Sequence, residues 1–162
     1  MKSHTLSLLV ANKPGVLVRV SLIFSRRGFN IESLVVSPTQ DGQFSRMTIT
    51  AQGDQKVLEQ IIKQGQKLVD VVMLNEHIPG DSIEKELALI KVAPKSAQRA
   101  ELLQIISHFK AETVDLRQES FIIQVTGSTE KLDAILEMLS PFGVVEVVRT
   151  GKILMVRGKE RT

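Results

Sequence analysis

In some segments of this chain hydrophobic residues recur at every second position, and in others they recur every three or four positions. The two kinds of segment alternate in a regular order. In the first half, alternating or β-branched segments predict four strands, at residues 5–11, 31–37, 44–51 and 68–74. Helical spacing predicts one helix at residues 16–27 and a second that begins after Gly53-Asp54. The predicted order is therefore β-α-β-β-α-β, the split βαβ arrangement of ferredoxin-like folds.

The third predicted strand shows the two faces of this sheet most clearly. Met47, Ile49 and Ala51 alternate with the polar residues at positions 46, 48 and 50. Since successive side chains of a strand point to opposite faces, the pattern predicts one face that covers a core and one that meets water or a partner.

The second half repeats this layout after a Pro- and Gly-containing linker at residues 78–82. Strands are predicted at residues 87–92, 113–116, 121–126 and 144–148, with a further edge strand at 153–156. Helices are predicted at residues 96–109, with Ala100, Leu103 and Ile106 facing inward, and at residues 129–139. The fold class predicted is α+β, with two ferredoxin-like βαββαβ domains at residues 1–77 and 78–162.

The turn between the first strand and the first helix is the strongest candidate for a binding site. It reads Asn12-Lys13-Pro14-Gly15-Val16-Leu17. The first N–H groups of a helix lack intrahelical partners and carry positive potential, so a carboxylate or phosphate can bind there. Asn12 could cap the helix or donate its amide, and Gly15 leaves the backbone open to a ligand. A plain strand-to-helix turn would use the same residues, so both interpretations stay open.

Composition excludes several classes of function. The chain has no Cys, and its three His residues do not pair at a metal-ligand spacing on one element, so thiolate chemistry and a metal site are not expected. No Gly-rich nucleotide fingerprint or nucleophile motif occurs. No apolar run reaches membrane-spanning length, and no signal-like leader is visible, which predicts a cytoplasmic protein.

The net charge of +3 raises the alternative of an RNA-binding module on this sheet. Such modules stack bases on aromatic side chains, and the chain has no Trp, no Tyr and only six Phe. We therefore expect no nucleic-acid partner. A stand-alone enzyme is a second alternative, which the scarcity of His and the lack of Cys disfavour.

The first half resembles an ACT domain, through residues 12–17 and through Arg27-Gly28-Phe29-Asn30-Ile31 at the start of the second strand. More narrowly, the whole chain resembles the regulatory small subunit of acetolactate synthase, also called acetohydroxyacid synthase. The segments that carry this resemblance are residues 24–34, 45–49, 67–71, 131–133 and 145–147.

The resemblance implies a non-catalytic subunit that activates a larger enzyme of valine, leucine and isoleucine synthesis and confers feedback inhibition, usually by valine. Thiamine diphosphate, Mg and FAD are expected on that catalytic partner, and no cofactor is expected in this chain. An amino-acid sensor for a different enzyme is the alternative that the resemblance leaves open.

In this family the effector lies between two paired ACT domains, so the resemblance implies a homodimer in which both chains contribute to each site. The effector-binding residues that it implies are Asn12, Lys13, Pro14, Gly15, Val16, Leu17, Asn30 and Ile31. The N–H groups around Gly15 would hold the carboxylate, and side-chain oxygens of Asn12 or Asn30 would hold the ammonium. Pro14 stands where a small polar residue is common, which removes one N–H from this turn.

Overall fold

The computed structural model describes residues 2–162 of the chain, which divide into two compact units. The first unit holds residues up to Ile83 together with Gly151–Thr162, and the second holds Glu84–Thr150. The domain boundary predicted at residues 77 and 78 differs from this division in one important way. Residues 151–162, hereafter the C-terminal segment, belong to the first unit because they pack on its sheet.

The first unit contains four strands and two helices in the predicted order. The strands are β1 (Lys2–Ala11), β2 (Asn30–Pro38), β3 (Phe44–Gly53) and β4 (Val71–His77). The helices are α1 (Val16–Ser25) and α2 (Gln55–Gly65). The antiparallel sheet has the order β2-β3-β1-β4, so β2 and β4 are its edges. This βαββαβ unit is the ferredoxin-like domain that the hydrophobic pattern predicts.

One face of this sheet and the inner faces of the two helices form the core of the first unit. Leu6, Leu8 and Val10 of β1 are almost fully buried there with Phe24 of α1 and Ile61 of α2. Asp54 caps α2 by accepting a hydrogen bond from the backbone N–H of Lys56 at 2.8 Å. The helices thus cover a single face of the sheet.

The opposite face of the same sheet, hereafter the outer face, is polar and yet mostly buried. Thr5, Ser7, Thr48 and Thr50 alternate with the core residues and are each less than 8% exposed. The water-exposed or partner-facing side predicted for β3 is therefore wrong for Thr48 and Thr50, which are covered within this chain.

The C-terminal segment lies on this outer face. A Cβ built on Gly151 would come within 2.6 Å of Ser33 Cβ on β2, and the guanidinium of Arg46 on β3 donates to the backbone oxygen of Thr162. Leu154 is only 6% exposed, and Thr162 Oγ1 accepts a hydrogen bond from Val156 N at 2.9 Å.

The second unit repeats the first. Its strands are β5 (Ser82–Val92), β6 (Glu112–Leu116), β7 (Phe121–Gly127) and β8 (Val144–Arg149). Its helices are α3 (Arg99–His108) and α4 (Thr129–Leu139), with short 3₁₀ helices at Ser96–Gln98 and Ser140–Phe142. The strand order β6-β7-β5-β8 is the same as in the first unit. The predicted extra edge strand forms as β9 (Ile153–Val156), but it lies in the C-terminal segment and so belongs to the first unit.

Two local predictions need correction. Helix α3 buries Leu102, Ile105 and Ile106, whereas Ala100 and Leu103 are exposed. The predicted fourth strand begins at Val71 rather than at Leu68, because residues 66–70 form turns instead.

Candidate functional site

The turn before α1 is built around Gly15. Its φ of 82° is left-handed, a conformation that glycine adopts without strain. Gly15 is also the N-cap residue of α1, and Asn12 is not, so the capping role considered for Asn12 is wrong. Val16 is buried and anchors the helix, whereas Leu17 is 41% exposed beside the turn. Lys13 and Pro14 are exposed.

The start of α1 differs from the starts of the other α-helices of residues 2–162. No side chain caps it, and its first turn has no acidic residue. The carboxylate of Asp54 caps α2, the hydroxyl of Ser128 caps α4, and α3 has Glu101 in its first turn. Neither a capping side chain nor an acidic residue of its own first turn therefore offsets the positive end of the α1 dipole.

Asn12 ties this turn to the hairpin between β2 and β3. Its side-chain Nδ2 donates to the carbonyl oxygen of Gly42 at 3.0 Å, and its backbone N–H donates to the carbonyl oxygen of Gln43 at 3.0 Å. The first of these bonds uses the amide nitrogen, so the oxygen Oδ1 keeps its capacity to accept a hydrogen bond. Asn12 is exposed, which leaves that oxygen accessible to a ligand.

Asn30 and Ile31 lie at the other end of the sheet. Asn30 pairs with Gln52 on β3, whereas Ala11, next to Asn12, pairs with Phe44 at the opposite end of the same strand. Eight positions of a β-strand span about 26 Å. The two groups of predicted site residues therefore do not meet within one chain.

Helix α1 and strand β2 present unpartnered surface near these residues. Val18 and Leu22, which are one turn apart on the outward side of α1, are 61% and 42% exposed. Strand β2 is an edge of the sheet, so its outer row of backbone N–H and C=O groups has no strand beside it. Both features are typical of a surface that another chain covers.

The second unit has no comparable turn. Its first strand leads into Ala93-Pro94-Lys95, and the Gln98 side chain accepts a hydrogen bond from Lys95 N at 3.0 Å. The most organised polar cluster here is structural. Arg149 donates to the buried carboxylate of Glu86 at 2.7 Å and to Asp133 at 2.7 Å. Partial burial opposes its charge, but these carboxylates outweigh that effect and raise the pKa of Arg149.

The histidines take structural positions. His4 is buried, with Nδ1 at 2.9 Å from Glu76 Oε1 and Nε2 at 3.3 Å from the carbonyl oxygen of Gly53. His77 lies against the Ser7 hydroxyl, and His108 packs edge-on against Phe109. Within residues 2–162, no three His, Asp or Glu side chains are grouped so that they could hold a metal ion. None of the helices in this range is long and apolar enough to cross a membrane.

Comparison with known proteins identifies the two units separately. Residues 6–73 match the model of the ACT domain that is typical of acetohydroxyacid synthase small subunits, and residues 85–158 match the model of the acetolactate synthase small subunit. A probable acetolactate synthase small subunit from Archaeoglobus fulgidus is 47% identical, over 98% of this chain and 99% of that relative. The chain belongs to the acetolactate synthase small-subunit family.

Other family members show the same correspondence over both units. The acetolactate synthase small subunit of Mycolicibacterium smegmatis is 46% identical over 96% of this chain and 92% of its own length. The crystal structure of the small subunit from Thermotoga maritima is 38% identical and covers 99% of this chain and 100% of that one, with a TM-score of 0.87. The first unit is accordingly an ACT domain, and the resemblance stated from the sequence is confirmed.

Proposed function

We propose that this chain is the regulatory subunit that activates the catalytic large subunit of acetolactate synthase and makes it sensitive to valine. Membership of the small-subunit family supports the regulatory role. The observation that carries the effector assignment is the uncapped start of α1 at Gly15, which lacks the carboxylate that a bound amino acid would bring.

The opposite placement of the two residue groups supports a site shared between two chains. If the β2 edges of two protomers pair antiparallel about a two-fold axis, the start of one β2 lies beside the end of the other. Pro38 at the end of β2 and Ala11 before the turn pair with neighbouring residues of β3. Asn30 and Ile31 of one protomer would then approach the Gly15 turn of its partner.

In this arrangement each chemical group of valine has a partner. The backbone N–H groups of the first turn of α1 bind the carboxylate, and Oδ1 of Asn12 or the side chain of Asn30 accepts from the ammonium. Leu17 and Ile31 supply apolar surface for the branched side chain. Because two chains form the site, binding and dimer geometry are linked.

The same proposal places the catalytic chemistry elsewhere. Thiamine diphosphate, Mg and FAD belong to the large subunit, and this chain alone turns over no 2-oxo acid. The cysteine-free composition suits a cytoplasmic holoenzyme.

Calorimetric titration of the purified chain tests the effector assignment. Valine should give saturable heat, and lysine should give none because the site offers apolar surface where its second ammonium would lie. Leucine measures how strictly the branched side chain is selected. Lysine binding as tight as valine binding, or no heat with valine in the presence of the large subunit, would contradict the proposal.

A further inference from the structure

A groove on the helical side of the first unit is lined by charges of one sign. It lies between α1, the end of α2 and the turn after α2, and has a volume of about 420 Å³. Its lining includes Arg19, Arg26 and Lys67, and no acidic side chain of residues 2–162 belongs to it. This feature, hereafter the α1–α2 groove, contains none of the effector residues that the family resemblance implies.

Two of these three cations have no ion-pair partner. Asp70 Oδ2 accepts a hydrogen bond from Arg19 Nη2, which offsets the charge of that guanidinium. Among the side chains of residues 2–162, no carboxylate forms an ion pair with Arg26 or Lys67, and both residues are exposed. The groove therefore keeps a positive potential that an anionic group of a partner would neutralise.

Most of the remaining lining is apolar. Leu22 and Ile23 of α1 are 42% and 9% exposed, and Leu68 in the turn after α2 is partly buried against the same core. Val69, which follows Leu68 in this turn, is fully exposed. Leu22 also belongs to the outward side of α1, so the groove adjoins a surface that is typical of chain–chain contact. Exposed apolar residues beside an arginine are typical of protein interfaces.

The charge of the groove decides which partner fits it. A second copy of this chain placed groove to groove would bring Arg26 and Lys67 against the same two cations, and like charges in an interface are unfavourable. A helix or loop that carries acidic residues next to an apolar one has the opposite charge and also covers the apolar lining. Such a segment has to come from a different protein, and the proposed function supplies one, the catalytic large subunit.

We propose that the α1–α2 groove is the docking surface for an acidic segment of the catalytic large subunit. Arg26 and Lys67 pair with carboxylates of that segment, and an apolar side chain of the segment contacts Leu68 and Val69. The inference rests on the proposed function, because it needs a large subunit that binds this chain. It does not depend on valine or on the Gly15 turn.

Charge reversal tests the groove in a titration of the chain with the large subunit of the same organism. Arg26→Glu with Lys67→Glu should raise the dissociation constant at least about tenfold. The control, Lys2→Glu with Lys56→Glu, changes the net charge equally at exposed residues of the first unit outside the groove. It should bind like the wild type at about 0.15 M salt, where exposed charges more than about 8 Å apart are largely screened. Equal affinities of the two double variants would overturn the proposal.

The salt dependence of binding is a readout that a folding defect would not move. The dissociation constant of the wild-type complex should rise with ionic strength, and the charge reversal at Arg26 and Lys67 should flatten or invert this rise. Urea unfolding and sedimentation velocity of the isolated variants show whether their stability and dimerisation match those of the wild type. A wild-type dissociation constant that stays constant with salt would contradict the electrostatic assignment.

Cross-linking in the assembled complex identifies the docked segment. The chain has no Cys, so Lys67→Cys carries a photoreactive thiol label at a single position. The label should cross-link to a segment of the large subunit with net negative charge, and the same label at Lys56→Cys should not reach that segment. Cross-links of the Lys67→Cys label only to a second copy of this chain, or only to segments without acidic residues, would overturn the proposal.

The docking assignment and the proposed function fail in different ways. If the wild-type chain does not bind the large subunit, the proposed function fails and the docking assignment fails with it. If the wild-type chain binds the large subunit and raises its rate, and the Arg26 and Lys67 double variant does both equally well, only the docking assignment fails.

Discussion

At the scale of single residues, Gly15 combines two requirements. Its φ of 82° favours glycine, and it is the N-cap residue of an α-helix that has no side-chain cap and no acidic residue in its first turn. A Cβ at this position would approach only Arg19 Nη1, at 3.2 Å, the end of a flexible side chain. There is therefore room for a short side chain at Gly15, but the left-handed φ would strain most residues other than glycine.

We predict that Gly15→Asp folds but loses valine inhibition. Asp is one of the few residues besides glycine that tolerate a left-handed φ, and its carboxylate would occupy the helix start in place of the carboxylate of valine. The measurement is acetolactate formation by the reconstituted complex across a valine series. Gly158→Asp is the matched control, since Gly158 has a φ of 83° with no atom near its Cβ position, and it should stay inhibitable. Undiminished inhibition in Gly15→Asp would refute the site.

Asn12→Ala should weaken valine binding by roughly 1.5–3 kcal/mol, the size of a hydrogen bond to a charged group. The substitution removes the Oδ1 acceptor and also the bond to Gly42 O that holds the hairpin. Calorimetry with the variant measures the loss, with the exposed Asn75→Ala as control. An unchanged affinity would show that Asn12 does not contact the effector.

At the scale of elements, the outward side of α1 should be part of the dimer interface. Val18→Glu with Leu22→Glu would bury unpaired carboxylates in each dimer and should raise the dimer dissociation constant by at least about a hundredfold. Sedimentation velocity measures this. The control pair is Leu103→Glu with Met138→Glu, which are 49% and 50% exposed on the second unit. Equal dimer dissociation constants for the two double variants would contradict the role of α1. An unchanged dissociation constant for the Val18 and Leu22 double variant would contradict it as well.

The packing of the C-terminal segment makes a separate prediction. Gly151→Ala should lower the free energy of unfolding of the first unit by roughly 1–3 kcal/mol more than Gly158→Ala does. Both glycines have a left-handed φ, 85° and 83°, but only Gly151 has Ser33 in the way of a Cβ. Urea unfolding of the two variants gives the comparison. Equal losses would mean that Gly151 does not pack on β2.

Most helices and strands could be predicted from the sequence, because hydrophobic residues recur in each at the spacing of a helix or of a strand. The exceptions have physical causes. Helix α3 contains apolar residues at positions 102, 103, 105 and 106, so several faces satisfy helical spacing and the packing partner decides between them. The covered outer face could not be inferred from β3, because polar alternation there is equally compatible with water and with a polar interior. Likewise, the association of residues 151–162 with the first unit is a long-range contact that no local pattern records.

The position of the candidate site could be predicted from the sequence, but the contacts of its residues could not. The Asn12–Leu17 turn is continuous in sequence, so its position at a helix start follows from the strand and helix on either side. The role of Asn12 was not predictable, because its partner at Gly42 is thirty residues away. The separation of Asn30 from this turn follows from the strand register, and it is the reason why we propose a site shared by two chains.

At the scale of the whole molecule, two units of one topology carry different local chemistry. The first has an uncapped helix start beside an unpaired sheet edge, and the second has capped or acid-bearing helices and an internal Glu86–Arg149 pair. We infer that effector sensing belongs to the first unit. Because both units match the small-subunit family over nearly their full length, regulation of the catalytic partner is expected of the intact chain.

Reconstitution is the most direct test of the central claim. The catalytic subunit from the same organism is assayed for acetolactate formation alone, with this chain, and with this chain plus valine. We predict that the chain raises the rate and that valine then lowers it, while valine has no effect on the catalytic subunit alone. A rate that does not change when the chain is added, at concentrations where the two proteins co-sediment, would contradict its role as the regulatory subunit.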